Sequence, residues 1–287
     1  MNELDKRKLK FLYHQSGINT RYSVLPDYSL QAGEWVFYPA SENLEPFPDL
    51  ETRMQWFDIT APALSIEAIQ KCTMGKLDAS EITHLGTVTC TGISAPGLDL
   101  QIIEEMGLRP DIFRTSVNFM GCFAAIHALK MADAICNGNG DAKVMIVCTE
   151  LSTLHFQKER SQDSITSSML FGDGCAAVLV TGDKHKADGY RMKYFHSHIA
   201  FNGKKDMSWK LSSTGFKMTL SSFIPDLIEH DFGSLVDDAL SKANIKKEDI
   251  SDWCVHPGGK KILDVIEKSI QLPEGSLQHS QIGRAHV

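Results

Sequence analysis

Cysteine and histidine are the residues of this sequence best suited to covalent chemistry near neutral pH, and one of each stands out by position. Cys122 follows Gly121 in VNFMGCFAAIHALKMAD (117–133), where a β-rich run gives way to a helical one. Unpaired N–H groups and the positive end of the helix dipole gather at a helix N-terminus. The position therefore predicts a lowered thiol pKa and an available thiolate nucleophile. His256 closes the apolar run WCVH just before Pro257-Gly258-Gly259. A histidine at the C-terminal edge of a strand in an α/β sheet faces the region where ligands bind. A cysteine and a histidine alone leave a cysteine hydrolase, an acyltransferase and a redox site open. Cys72, Cys90, Cys136, Cys148, Cys175 and Cys254 lie in apolar runs or near helix ends and read as packing thiols. His127, His155 and the other histidines lack a motif context. FGDG (171–174) has neither the GxxxxGK[ST] pattern nor a helix directly after it, so it reads as a tight turn rather than a phosphate loop. Asp173 has no evident metal partner, and no metal is expected.

The elements that must position these residues alternate strand and helix. HLGTVTC (84–90), VMIVCTE (144–150), LFGDGCAAVLV (170–180) and WCVH (253–256) read as buried strands, with a short strand at VNFM (117–120). Helical spacing covers 61–71, 100–108, 123–135, 225–242 and 260–270, and a short helix is expected before Gly17. The class is α/β, with a polar, glycine-punctuated stretch over 183–215. The chain has 287 residues, 43% hydrophobic and 23% charged, which suits a globular protein. Its net charge of −7 argues against nucleic-acid and anionic-membrane partners. No apolar run reaches the roughly 20 residues of a membrane span, and the charged start MNELDKRKLK contains no apolar signal segment. Seven cysteines without a CxxC pair fit a reducing cytoplasm better than a disulfide framework or a zinc site.

Five segments together resemble the type III polyketide synthases, the chalcone/stilbene synthase family of the thiolase fold. They are THLGTVTCTGISAPGLDL (83–100), VNFMGCFAAIHALKMAD (117–133), AKVMIVCTEL (142–151), SMLFGDGCAAVLVTGD (168–183) and WCVHPGGKKILDVIE (253–267), in the family's order. The resemblance implies a layered αβαβα fold with an incomplete second half. Residues 1–182 would be the half with the nucleophile and 183–281 a partial half with the histidine. Cys122 would carry the starter acyl group and the growing chain. His256 would hold the thiolate and polarise the malonyl thioester during decarboxylation. Phe171 matches the family's gatekeeping phenylalanine. Met218 stands where a second such phenylalanine is found, and Ala95 where plant members place a methionine that reaches the partner subunit. Thr89 and Thr91 would line the cavity, and Lys8 would bind CoA phosphates, with Phe11 and Gln15 standing where two further basic residues occur. The implied reaction is a decarboxylative Claisen condensation of malonyl-CoA onto a Cys-bound starter acyl group, in a homodimer that needs no metal or organic cofactor. The alternatives are a type III ketoacyl-ACP synthase, whose His motif reads HQAN-like rather than HPGG, a cysteine hydrolase, and a non-catalytic fragment.

The family's third catalytic residue, an asparagine in a GN-x-x-S segment, has no counterpart in this sequence. One codon choice for the last residues QIGRAHV, CAG ATC GGA AGA GCA CAC GTC, contains the sequencing-adapter string AGATCGGAAGAGCACACGTC. Residues 282–287 are accordingly expected to be adapter read-through, the chain to be a fragment at both ends, and the chain by itself to be inactive.

Overall fold

The computed structural model describes residues 3–185, 189–221 and 223–280, apart from the side chains of Leu4, Asp5 and Lys8. The tail reading at 282–287 lies outside the described residues. Four strands make the main sheet: β1 (His84–Thr89), β2 (Phe113–Asn118), β3 (Lys143–Leu151) and β4 (Asp173–Thr181). Their order is β2-β1-β3-β4. β1 runs parallel to β2 and β3, and β4 returns antiparallel to β3, with Leu151 opposite Asp173. β3 is apolar without alternation because helices cover both of its faces. Val144 and Ile146 pack with one buried cluster, and Met145, Val147 and Leu151 with the other.

The helices α2 (Leu50–Thr73) and α3 (Leu98–Met106) cover one face. Phe57, Ala61, Ser65 and Ile69 give α2 a buried stripe at four-residue spacing. This helix begins eleven residues before the expected start at 61, because the Asp49 carboxylate accepts the Thr52 N–H at 2.9 Å and caps it. The opposite face takes α4 (Ala124–Gly138), which buries Ala124, Ala128, Ala132 and Cys136, and leaves Ile126 exposed. Small residues at that spacing bring the helix close to the sheet.

Two short helices, α1 (Glu3–Gln15) and α5 (Gln162–Leu170), flank this half of the chain. The stretch read as irregular hides an antiparallel hairpin, β5 (Met207–Ser212) and β6 (Gly215–Leu220), closed by Gly215 at φ +108°. Its strands pair only with each other among the described residues. The last helices, α6 (Ile224–Ala243) and α7 (Lys260–Ser269), form a separate core in which Leu263, Ile266 and Ile270 pack on Ile228, Phe232 and Val236. WCVH is not a strand here. Val255 donates its N–H to Ser280 Oγ at 2.9 Å instead of to a ladder partner. Among the described residues no helix is long and apolar enough to cross a membrane.

The Gly-Pro-Gly loop after β1 lies against α2. A Cβ on Gly92 would come within 2.2 Å of the Phe57 ring, which is itself 2% exposed. Gly92→Ala should therefore destabilise the protein by about 1–3 kcal/mol through overpacking. A urea unfolding midpoint unchanged from the parent would refute this.

Candidate active site

Cys122 sits on a tight reversal between β2 and α4. Phe119 and Gly121 adopt φ +57° and +64°, and a 3-10 turn over Gly121–Phe123 leads into the helix. The left-handed step at Gly121 suits a residue without a Cβ. Phe119 N–H donates to Thr89 O at 3.3 Å, which pins the reversal to the end of β1. Cys122 is exposed. Its thiol is nevertheless raised above the ordinary value, against the sequence expectation of a lowered one. Loss of water to the surrounding protein is the main cause, and the negative charge of Glu150 adds to it. A backbone N–H bond from Cys122 itself pulls the other way, and is outweighed.

Glu150 is the functional candidate that motif reading passes over. It ends β3 on the α4-facing side of the sheet. Its carboxylate accepts the Cys90 N–H at 2.9 and 3.0 Å and the Thr91 hydroxyl at 2.8 Å. Burial pushes its pKa up to about 7 against the pull of these bonds. A carboxylate inside the apolar run VMIVCTE was the available signal, because glutamate is almost never buried unless paired. Thr89 and Thr91 are themselves buried. Their hydroxyls lie 3.2 Å apart, and Thr91 Oγ1 also accepts the Leu151 N–H at 2.8 Å. Both threonines thus support Glu150, and neither is among the residues lining the cavity described next.

That cavity, of about 530 Å³, brings together Phe171, the C-cap of α5, and Met218 of β6. Ser164, Ser167 and Ser168 on α5 line it with hydroxyls, and Trp209, Phe216 and His155 with rings. A larger cavity of about 710 Å³ lies between residues 198–207 and α6, and contains none of the candidate residues. Phe119, three residues before Cys122, packs edge-on against Phe216 at 5.2 Å, so the cysteine turn abuts the wall of the first cavity. Asp173 fixes the neighbouring backbone by accepting the N–H groups of Val24 and Thr153, each at 2.8 Å.

His155, which carries no sequence motif, is buried between the turn after β1 and the hairpin. Its Nε2–H donates to Thr91 O at 2.7 Å, and its Nδ1 accepts the Phe216 N–H at 3.1 Å. Lost water, and secondarily the Arg53 cation, lower its pKa to about 4 despite the bond to Thr91. His256 is exposed on the irregular segment before α7, and partial burial lowers its pKa too. Among the described residues no hydrogen bond or ion pair joins His256 to Cys122. Lys8 falls on α1, with its side chain outside the described residues.

Comparison with known proteins agrees with this architecture. The family models for the N-terminal and C-terminal domains of chalcone and stilbene synthases match residues 2–184 and 192–283. A 1,3,6,8-tetrahydroxynaphthalene synthase of Streptomyces peucetius subspecies caesius is 28% identical over 284 residues, 96% of this chain and 71% of that protein. The Dictyostelium discoideum protein named Probable polyketide synthase 1 is 29% identical over 271 residues, 92% of this chain, which spans only 8% of that relative's length. The crystal structure of PKS-I from the brown alga Ectocarpus siliculosus superposes with a TM-score of 0.90 at 27% identity, covering 98% of this chain and 75% of that one. The chain belongs to the chalcone and stilbene synthase family, and so to the type III polyketide synthases, transferases of thiolase-like α/β fold.

Two measurements check these electrostatics. Iodoacetamide should label Cys122, read by peptide mapping, more slowly at pH 8 than it labels a free thiol. Glu150→Gln should speed that labelling by up to about tenfold, the thiolate gain from one pKa unit; an unchanged rate would remove Glu150 from the thiol's environment. His155 binds its proton less readily folded than unfolded, so the unfolded chain takes up more protons between about pH 4 and 6.5. The ring's contribution to stability should be complete above pH 6.5 and fall by about 3 kcal/mol toward pH 4. His155→Asn should remove that dependence from the pH profile of the unfolding free energy.

Proposed function

We propose that the synthase from which this chain comes performs acyl transfer and decarboxylative condensation of CoA thioesters in polyketide synthesis. In this reading Cys122 Sγ, giving its proton to His256, attacks the carbonyl of an acyl-CoA starter. The thioester bond to CoA breaks, and CoA leaves as a thiol. Malonyl-CoA then loses CO2, and the electron pair of the broken C–C bond becomes an enolate. That charge needs a hydrogen-bond donor where it develops, and the N–H of the His256 ring, neutral again once its acquired proton has left with the CoA thiol, is assigned to it. The enolate carbon attacks the Cys122-bound carbonyl, and Sγ departs as the new C–C bond forms. Phe171 and Met218 shape the space for the chain, and Lys8 is assigned to the CoA phosphates. Thiol, imidazole and malonyl thioester suffice chemically, without a metal or organic cofactor.

The observation that carries this reading is an exposed cysteine on a strand-to-helix turn whose Phe119 packs on the wall of a cavity holding both Phe171 and Met218. The half up to residue 182 would hold the nucleophile, and the half from residue 183 the histidine. The working form is proposed as a homodimer. β2 is an edge strand with one open row of backbone groups, and Phe113 at its start, Phe123 in the turn after it and Ile126 on α4 are 69%, 44% and 47% exposed. Seven free cysteines fit a reducing cytoplasm as its compartment.

Incubation with an acyl-CoA should raise the intact mass by one acyl group, mapped to Cys122. Cys122→Ala should abolish the adduct, while His256→Gln should slow its formation by about 10²–10⁴-fold, the scale of lost general-base catalysis. An adduct that persists in Cys122→Ala would refute the nucleophile assignment.

A further inference from the structure

We propose that the ion pair between Lys217 and Glu159 is a latch across the mouth of the cavity, which a phosphate-bearing thioester opens by replacing Glu159 as the partner of Lys217. The proposal rests on the reading above, in which the cavity receives a CoA thioester. Glu159 precedes Ser161, the N-cap of α5, by two residues, and Lys217 lies on β6. Residues of both elements wall the cavity, Glu159 and Lys217 among them, and the Lys217 ammonium donates to Glu159 Oε1 between the two. The two side chains remain 45% and 50% exposed, which places the pair at the solvent edge of the cavity rather than in its depth.

The pair is poised for exchange. Exposed ion pairs are weak, because water and salt screen them. The hairpin weakens this one further. Lys210 on β5 stands directly opposite Lys217 in the ladder, and like charges facing across two strands repel. Lys210 is exposed and has no hydrogen bond or ion pair of its own among the described residues. One carboxylate therefore answers two ammonium groups. Arg21 and Asp163 also line the cavity and are of opposite sign, so they leave this excess of positive charge in place. A phosphate carries more charge than a carboxylate and more acceptor oxygens, and so draws Lys217 away from Glu159. With Glu159 displaced, both lysines face the incoming group. A net charge of −7 would otherwise repel such an anion. A neutral thioester has nothing to offer Lys217 and meets the latch closed. Selection for the CoA head thus takes place at the entrance, before the acyl group reaches Cys122.

Two variants separate the latch from the phosphate contact. Glu159→Gln and Lys217→Gln both open the latch, but only Lys217→Gln removes the partner of the phosphate. Rates of Cys122 acylation are to be measured by intact mass with acetyl-CoA and with the uncharged thioester S-acetyl-N-acetylcysteamine. The neutral thioester should react about two- to fivefold faster in both variants, the scale of one exposed ion pair. Acetyl-CoA should also react faster in Glu159→Gln, and about tenfold more slowly in Lys217→Gln, the scale of a lost hydrogen bond to a charged group. Neutral-thioester rates that stay at the parental value, or that rise in one variant alone, would overturn the latch. A preference for acetyl-CoA that survives Lys217→Gln would overturn the exchange with phosphate. If the parent forms no adduct with either donor, the functional reading fails and this one is read by calorimetry with adenosine 3′,5′-bisphosphate. Its affinity should rise in Glu159→Gln and fall in Lys217→Gln, and equal affinities in all three proteins would overturn the proposal.

Discussion

The peptide groups just past the end of β1 leave the ladder while still buried, and a buried N–H or C=O must find a partner. Thr91 meets that requirement with every polar group it has. Its N–H goes to Thr89 Oγ1, its hydroxyl donates to Glu150 and accepts from Leu151, and its carbonyl takes the His155 proton. The cysteine turn hangs from the same strand end through Phe119 and Thr89. The Cys122 turn, the buried carboxylate and the cavity wall are held to one another by this knot of backbone and hydroxyl bonds. The sheet beneath supplies a rigid base for it.

The titratable groups of the candidate site respond to burial in the same sense. Loss of solvent disfavours the charged form of each. It raises Cys122 and Glu150, and it lowers His155 and His256. In each case burial shifts the balance toward the uncharged form.

The α/β class, the paired β-rich runs of the sheet and most helices were legible in the sequence, because strands covered on both faces leave unbroken apolar runs and helices leave a stripe. The elements that escaped did so for local reasons. The start of α2 depends on a cap at Asp49, twelve residues before the first apolar position read as helical. The β5–β6 hairpin alternates too weakly in MSWKLS and GFKMTL to be told from a polar stretch, and is held by side chains distant in sequence. WCVH carries the composition of a strand, yet its backbone finds Ser280 instead of a ladder.

The site divides in the same way. Cys122, Phe171 and Met218 are recognisable in the sequence because their neighbours (the glycine before the cysteine, the FGDG turn, the segment before Pro225) are local patterns. Glu150 and His155 are not, since each owes its role to partners some sixty residues away: Cys90 and Thr91 for the carboxylate, Thr91 and Phe216 for the ring. The sequence by itself determined the family, the fold class and the reactive residue types, because these rest on composition and short-range spacing. Only the tertiary structure decided which way burial shifts each titratable group, which carboxylate acts on the thiol and which ring bonds to the cavity wall. Those depend on lost water and long-range hydrogen bonds, which exist only once the chain has folded.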